Sequence, residues 1–303
     1  MLLLALIWGL SIPLTKLGLE TVPPITLTAL RFLVAVPVFL VLATGRLAIP
    51  WRAAPSMAAL GVTGITLGNV AQSFGVEGTS ASAGTIISAT IPIFIVLFAA
   101  IRLKQAVAGR QWLGLLVAFA GIALVALGDE AKLEVTAETT LGGVAWMLVS
   151  AIAIAFYYIW SAELAERYGM LAVAAWNGVA GLIGILPLAG WELMHEPVEV
   201  TIEAAAIIVY LGVLVTVAGL LLWLHLLQIV PARVAAGVQY LQPVFGILAA
   251  AAIFGDRLGL MFAAGVVLIL GGLALAVAEK RPSPPRAIAV QRRAAHGPPV
   301  SSR

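Results

Sequence analysis

Two prolines interrupt apolar runs where a helix tolerates them least: Pro92 in SATIPIF (88–94) and Pro243 in QYLQPVF (239–245). A proline deletes one backbone hydrogen bond and clashes with the carbonyl four residues back. That carbonyl belongs to Ser88 in the first run and to Gln239 in the second. In hydrocarbon a released carbonyl must face protein, a side-chain donor or a water-filled cavity. Polar groups stand at both turns, Ser88 and Thr90 in one, Gln239, Tyr240 and Gln242 in the other. The pairing predicts a cavity wall with a helix break or hinge at Pro92 and Pro243. A packing kink is the plainer alternative.

Aromatic and amide side chains extend this binding chemistry. Trp and Tyr at membrane interfaces usually form belts, and Trp51, Trp112 and Trp191 fit that role. Trp8 and Tyr240 lie deeper, and the run Phe156–Trp160 carries Tyr157 and Trp160. Buried Tyr and Trp need partners for O–H and N–H, so they suit a polar cavity for an aromatic or amphipathic substrate. Asn69 and Gln72, three residues apart, share a helix face beside Ser73. They serve either an interhelical hydrogen bond or a substrate. Lys16 and Arg31 are charges in or near apolar runs, toward the outer end of the first hairpin. An intramembrane charge is a functional candidate. A structural or gating role is the expectation for both, with Lys16 reaching Glu20 or snorkelling outward.

Catalytic chemistry is poorly served. The chain has no cysteine, no H-E-x-x-H, no G-x-S-x-G and no pair of acids within an apolar run, so an intramembrane enzyme lacks its nucleophile, base or metal ligands. No cofactor or metal is expected. A channel would show a ring of like charge or a carbonyl filter. No basic face interleaves with aromatics, which argues against nucleic acid.

The elements that must position these residues are apolar helices. Of the 303 residues 62% are hydrophobic and 10% charged, against about 25% charged in soluble domains. A spanning helix needs about 20 mostly apolar residues. Segments of that kind run roughly 2–20, 26–44, 55–76, 79–102, 109–128, 141–162, 170–190, 203–226, 231–254 and 258–278. The expected fold is an all-α polytopic membrane protein with ten transmembrane helices. Cytoplasmic loops collect Lys and Arg. With both termini cytoplasmic, Arg46, Arg52, Arg102, Lys104, Arg110, Arg167 and Arg233 fall inside, whereas most acids fall outside. Glu163, Glu166 and Glu279 are the inner exceptions. No basic region precedes the first span, which argues against a cleaved signal peptide. The basic, proline-rich segment 280–303 is expected to be a disordered cytoplasmic tail.

Sliding the chain against itself by 151 positions, which lays Pro92 on Pro243, aligns further landmarks without a gap. Leu60-Gly61-Val62 meets Leu211-Gly212-Val213, Phe94 meets Phe245, Gly114 meets Gly265 and Gly121 meets Gly272. The chain divides into a five-helix repeat (1–128), a polar outer loop (129–140) and a second five-helix repeat (141–279). Five spans are an odd number, so the second repeat must be inverted, a common transporter plan with a site near the midplane.

The ordered motifs resemble the EamA-type transporters of the drug/metabolite transporter superfamily. The first half carries Trp8-Gly9, Lys16, Pro24, Arg31-Phe32, Ala35, the small-residue run 79–84, Pro92, Gly114 and Gly121. The second carries Pro231-Ala232, Pro243, Gly255-Asp256, Gly265 and Gly272. The likeness spans essentially residues 1–279. One departure is Gln105, where the family usually has an acid; Asp256 keeps it in the second repeat and is expected to cap the last helix. The resemblance implies two five-helix repeats around a shared cavity and export of small metabolites, amino acids among them. The branch exporting aromatic amino acids is the subfamily it suggests. The combined expectation is an exporter of aromatic or other hydrophobic amino acids, residing in the bacterial inner membrane and working by alternating access. Its partners are a small-molecule substrate and the lipid bilayer; oligomeric state is left open. No Asp or Glu falls in the middle of a span, which favours uncoupled facilitated movement; the alternative is a proton-coupled drug/metabolite exporter.

Overall fold

The computed structural model describes residues 2–102, 109–130, 139–222, 237–256 and 259–277. They are helical nearly throughout, and no strand occurs among them. Helices α1 (Leu2–Gly9) and α2 (Ser11–Gly18) take up the first expected span, and α3 (Pro24–Leu42) the second. The third is α4 (Ala54–Leu60), a π-helical stretch (Gly61–Leu67) and α5 (Gly68–Glu77) in succession. Then follow α6 (Ala81–Ser88), α7 (Ile91–Arg102), α8 (Gly109–Glu130), α9 (Leu141–Tyr168) and α10 (Met170–Leu193). Helix α11 (Ile202–Val209) runs into a second π-helical stretch (Tyr210–Ala218), and α12 (Gly237–Phe254) and α13 (Leu260–Val277) close the order.

Four helices are long and apolar enough to cross a membrane: Pro24–Leu42, Leu141–Tyr168, Met170–Leu193 and Ile202–Leu222. Shorter apolar helices include Leu2–Gly18, Ala81–Ile95, Trp112–Val125, Gln242–Phe254 and Leu260–Leu275. Two of the ten expected spans are divided. The first breaks at Leu10, where Pro13 cannot donate to the Gly9 carbonyl. The fourth breaks at Ala89-Thr90. The ends of the expected spans at 203–226, 231–254 and 258–278, most of the 129–140 loop and the whole 280–303 tail lie outside the described residues.

Local chemistry accounts for several helix starts. Thr140 accepts from the Gly143 N–H at 3.0 Å and Thr201 from the Ala204 N–H at 3.0 Å, the standard N-cap bond. Gly169, at φ +83°, separates α9 from α10, a backbone setting in which a side chain would be strained.

Apolar faces then pair α3 with α10, α5 with α9, α1 with α12 and α8 with α13. Phe32, Phe39, Ile65 and Ile185 form one buried cluster, and Ile12, Ile86, Met147 and Ile269 another. Between α8 and α13 the backbones nearly touch. A Cβ on Gly121 would lie 2.7 Å from the Gly265 carbonyl oxygen, and one on Gly272 2.5 Å from that of Gly114. Small residues permit this approach, which dispersion forces then reward.

Polar clasps fasten the expected outer end. The buried Glu192 carboxylate at the end of α10 accepts from the Ile25 and Thr26 N–H groups (3.1 and 2.6 Å) and the Thr26 hydroxyl (2.7 Å). A negative charge thus sits on the positive end of α3. Asp256 accepts from the Ser82 N–H at 2.8 Å, so the bond it shows goes to α6 rather than to the last helix. Lys16 donates to the Glu77 and Thr79 carbonyls at 2.9 and 2.8 Å, capping α5. Burial, helped by Glu196, raises the Glu77 carboxyl above its ordinary range, while Lys16 pulls it back. At the other end Arg102 forks onto Glu163 at 2.8 Å, giving one of the acids expected on the inner side a structural partner.

Candidate functional site

The two π-helical stretches are where backbone and side chains stop being self-contained. A π turn spaces its bonds five residues apart and is frequent at functional positions. On the second stretch the Thr216 hydroxyl donates five residues back to the Leu211 carbonyl at 2.8 Å. Its oxygen accepts from Arg31 Nε at 2.9 Å. One residue earlier, the Val215 carbonyl accepts from the Trp8 indole N–H at 3.1 Å. The Tyr210 hydroxyl donates to the Ile7 carbonyl at 3.0 Å. The Trp8 ring lies against Gly219, where any Cβ would strike it. Trp8 from α1 and Arg31 from α3 therefore meet on one short length of chain. Arg31, about two turns into α3, also lies 5.6 Å from the Phe32 ring.

On the first stretch Asn69 Nδ2 donates to the Gly64 and Ile65 carbonyls, both at 3.2 Å. Its amide thus serves carbonyls that the π turn loosens. Gly64 makes room for the Tyr157 ring, which occupies the place of a Cβ. The Tyr157 hydroxyl faces Asn177 and Ser161. Asn177 is fully buried, and neither atom of its amide has a hydrogen-bond partner of good geometry. Tyr158, 5.9 Å from Tyr157 between ring centres, is within electrostatic reach of Arg31. Among the described residues the ion pairs are Arg102–Glu163 and Arg167–Glu163, and neither involves Arg31.

Other expected residues fall elsewhere. Trp160 stacks on Phe156 with centroids 4.1 Å apart and meets Phe98 edge-on at 5.8 Å, a packing cluster between α7 and α9. Ser88 and Thr90 are buried and donate to the Thr85 and Ile87 carbonyls of the last turn of α6, both at 2.7 Å. Pro92 is the second residue of α7, just past the break, whereas Pro243 lies inside the continuous α12. Gln72 and Gln242 are half-buried, and the Gln242 carbonyl lies against Gly9. The side chains of Gln239 and Tyr240 lie outside the described residues.

Thr216 and Asn177 were not anticipated. A single Thr in the apolar stretch 203–222 has no composition signal. Asn177 had one: it is the lone amide of the span 170–190, and such groups usually find interhelical partners.

Comparison with known proteins now places the chain. A model described as the EamA-like transporter family matches residues 1–127 and 141–278. A probable terminal-alkyne amino-acid exporter of Streptantibioticus cattleyicolor is 28% identical over 277 residues, covering 86% of this chain and 89% of that protein. A probable amino-acid metabolite efflux pump of Salmonella typhimurium is 27% identical, covering 90% and 91%. An uncharacterized transporter of Archaeoglobus fulgidus is 25% identical, covering 90% and 95%. A solved crystal structure shares the fold with a TM-score of 0.62 at 22% identity, covering 91% of this chain and 94% of that one. The chain belongs to the EamA-like transporter family and is an integral membrane protein.

Proposed function

We propose that this EamA-like chain exports amino acids with aromatic or other hydrophobic side chains, by alternating access around a polar site at the membrane midplane. The carrying observation is the meeting of Trp8, Arg31 and Thr216 on the second π-helical stretch. It joins an apolar ring, a cation and a hydroxyl, which is what an amphipathic substrate requires. The printed names of two relatives, an amino-acid exporter and an amino-acid efflux pump, support the substrate class.

Two inverted five-helix repeats are the frame of this reading. Laid over by 151 positions, the π-helical stretch Gly61–Leu67 falls within Tyr210–Ala218, so the aligned segments also agree in backbone spacing. Gly114 faces Gly272 and Gly121 faces Gly265. Replacing each glycine by its mate returns the same two pairs, as a two-fold relation requires. Both termini are taken as cytoplasmic in the inner membrane, on the distribution of Arg and Lys. The absence of a mid-span carboxylate favours uncoupled movement.

The test is uptake of a labelled amino-acid panel into proteoliposomes, with and without a pH gradient. Saturable flux of aromatic or large aliphatic members, unchanged by the gradient, is expected. No saturable flux for any amino acid contradicts the exporter, and flux that requires the gradient contradicts uncoupled movement.

A further inference from the structure

Arg31 poses a problem of charge. It lies on the middle turns of α3, where an ionised side chain is expensive unless something of opposite sign meets it. A guanidinium has five N–H donors, and among the described residues one hydrogen bond is formed, from Nε to Thr216 at 2.9 Å. The carboxylates of the packed elements are engaged or remote. Glu192 is spent on the start of α3, Glu77 lies at the outer end of α5, and Glu163 is held by Arg102. Thr216 fixes the orientation. Because its own proton goes to the Leu211 carbonyl, it can only accept from Arg31, which pins Nε and leaves the paired Nη groups as the free edge. Their fork matches a carboxylate in two parallel bonds. Trp8 is tied to the carbonyl of Val215, the residue before Thr216, and Tyr158 is within electrostatic reach of Arg31.

We infer that Arg31 is the anchor for the carboxylate of the transported molecule, held in place by Thr216. The inference rests on the amino-acid reading above and narrows it. Substrates must carry a carboxylate, and their apolar part then lies toward Trp8. Amides and decarboxylated amines of the same shape are rejected, because they leave the guanidinium unpaired. Lysine is a poor replacement, since it offers a point charge without the planar fork.

The experiment measures thermal stabilisation of the full chain in nanodiscs by matched pairs: L-phenylalanine and its amide, L-leucine and its amide, and 3-phenylpropionate and phenethylamine. Each acid is expected to act at concentrations lower by about tenfold or more than its partner, since sites built for a polar group reject analogues lacking it. Arg31→Gln is expected to lose this preference while melting, without ligand, no lower than the native chain, because it removes an unpaired charge. Arg31→Lys keeps part of the preference. Amides that match the acids on the native chain overturn the anchor even if amino acids are transported. A preference for acids that survives Arg31→Gln also overturns it, as does an Arg31→Gln chain that melts well below the native one while Arg31→Lys does not. Acid-selective stabilisation without amino-acid flux would leave the anchor standing and sink the exporter, so the two failures are distinguishable.

Discussion

Glu192 shows what a single residue can hide. By sequence it is one of several acids in an outer loop; in the fold its carboxylate is 2% exposed and caps a helix 166 residues away. Nothing local could disclose that, because the cap and the capped belong to different spans. Arg31 was legible as an intramembrane charge, but its partner was not, since Thr216 sits in a featureless apolar run. Lys16 was legible as a candidate, and two of its hydrogen bonds go to the carbonyl end of α5. The cap is also the place for a stability prediction. Glu192→Ala strands two N–H groups that now bond to a charge, and hydrogen bonds of that kind contribute about 1.5–3 kcal/mol. A loss of about 2 kcal/mol is expected, seen as a lower melting temperature in detergent, with Glu192→Gln intermediate. An unchanged melting temperature in Glu192→Ala would show that the clasp contributes nothing.

At the scale of elements, hydrophobic runs located the helices but not their interruptions. A π-helical stretch is a change of hydrogen-bond spacing inside an unbroken apolar pattern, so composition is silent about it. The two prolines Pro92 and Pro243 have different settings. Pro92 occupies the second position of α7, where the missing N–H would have had no helical partner in any case. Pro243 lies inside α12, where a proline costs about 3 kcal/mol or more. If both mark bending points, Pro92→Ala and Pro243→Ala slow transport while each folds, and Pro243→Ala melts higher. Wild-type transport rates in both would reduce the pair to packing features. The break at Leu10 was missed because Pro13 stands within a run otherwise continuous from Leu2.

For the whole molecule, membrane character was written in the composition, and the EamA resemblance in an ordered set of short motifs. What resisted reading was which spans meet. The pairing of α3 with α10 and of α8 with α13 depends on glycine faces that only contact in space reveals. These pairings join the two proposed repeats, so rocking of one against the other must open some of them. The clasps from Glu192 to α3 and from Asp256 to α6 join the same two proposed repeats.

The central claim is a carrier that binds an amino acid and exposes it to one side at a time. Counterflow tests it most directly: proteoliposomes loaded with unlabelled L-phenylalanine are diluted into a trace of labelled L-phenylalanine. A carrier produces a transient accumulation of label above equilibrium, and Trp8→Ala or Thr216→Val should abolish or strongly reduce it. Label that rises to equilibrium without overshoot would indicate a pore, and no protein-dependent entry of any amino acid tried in this format would contradict the account.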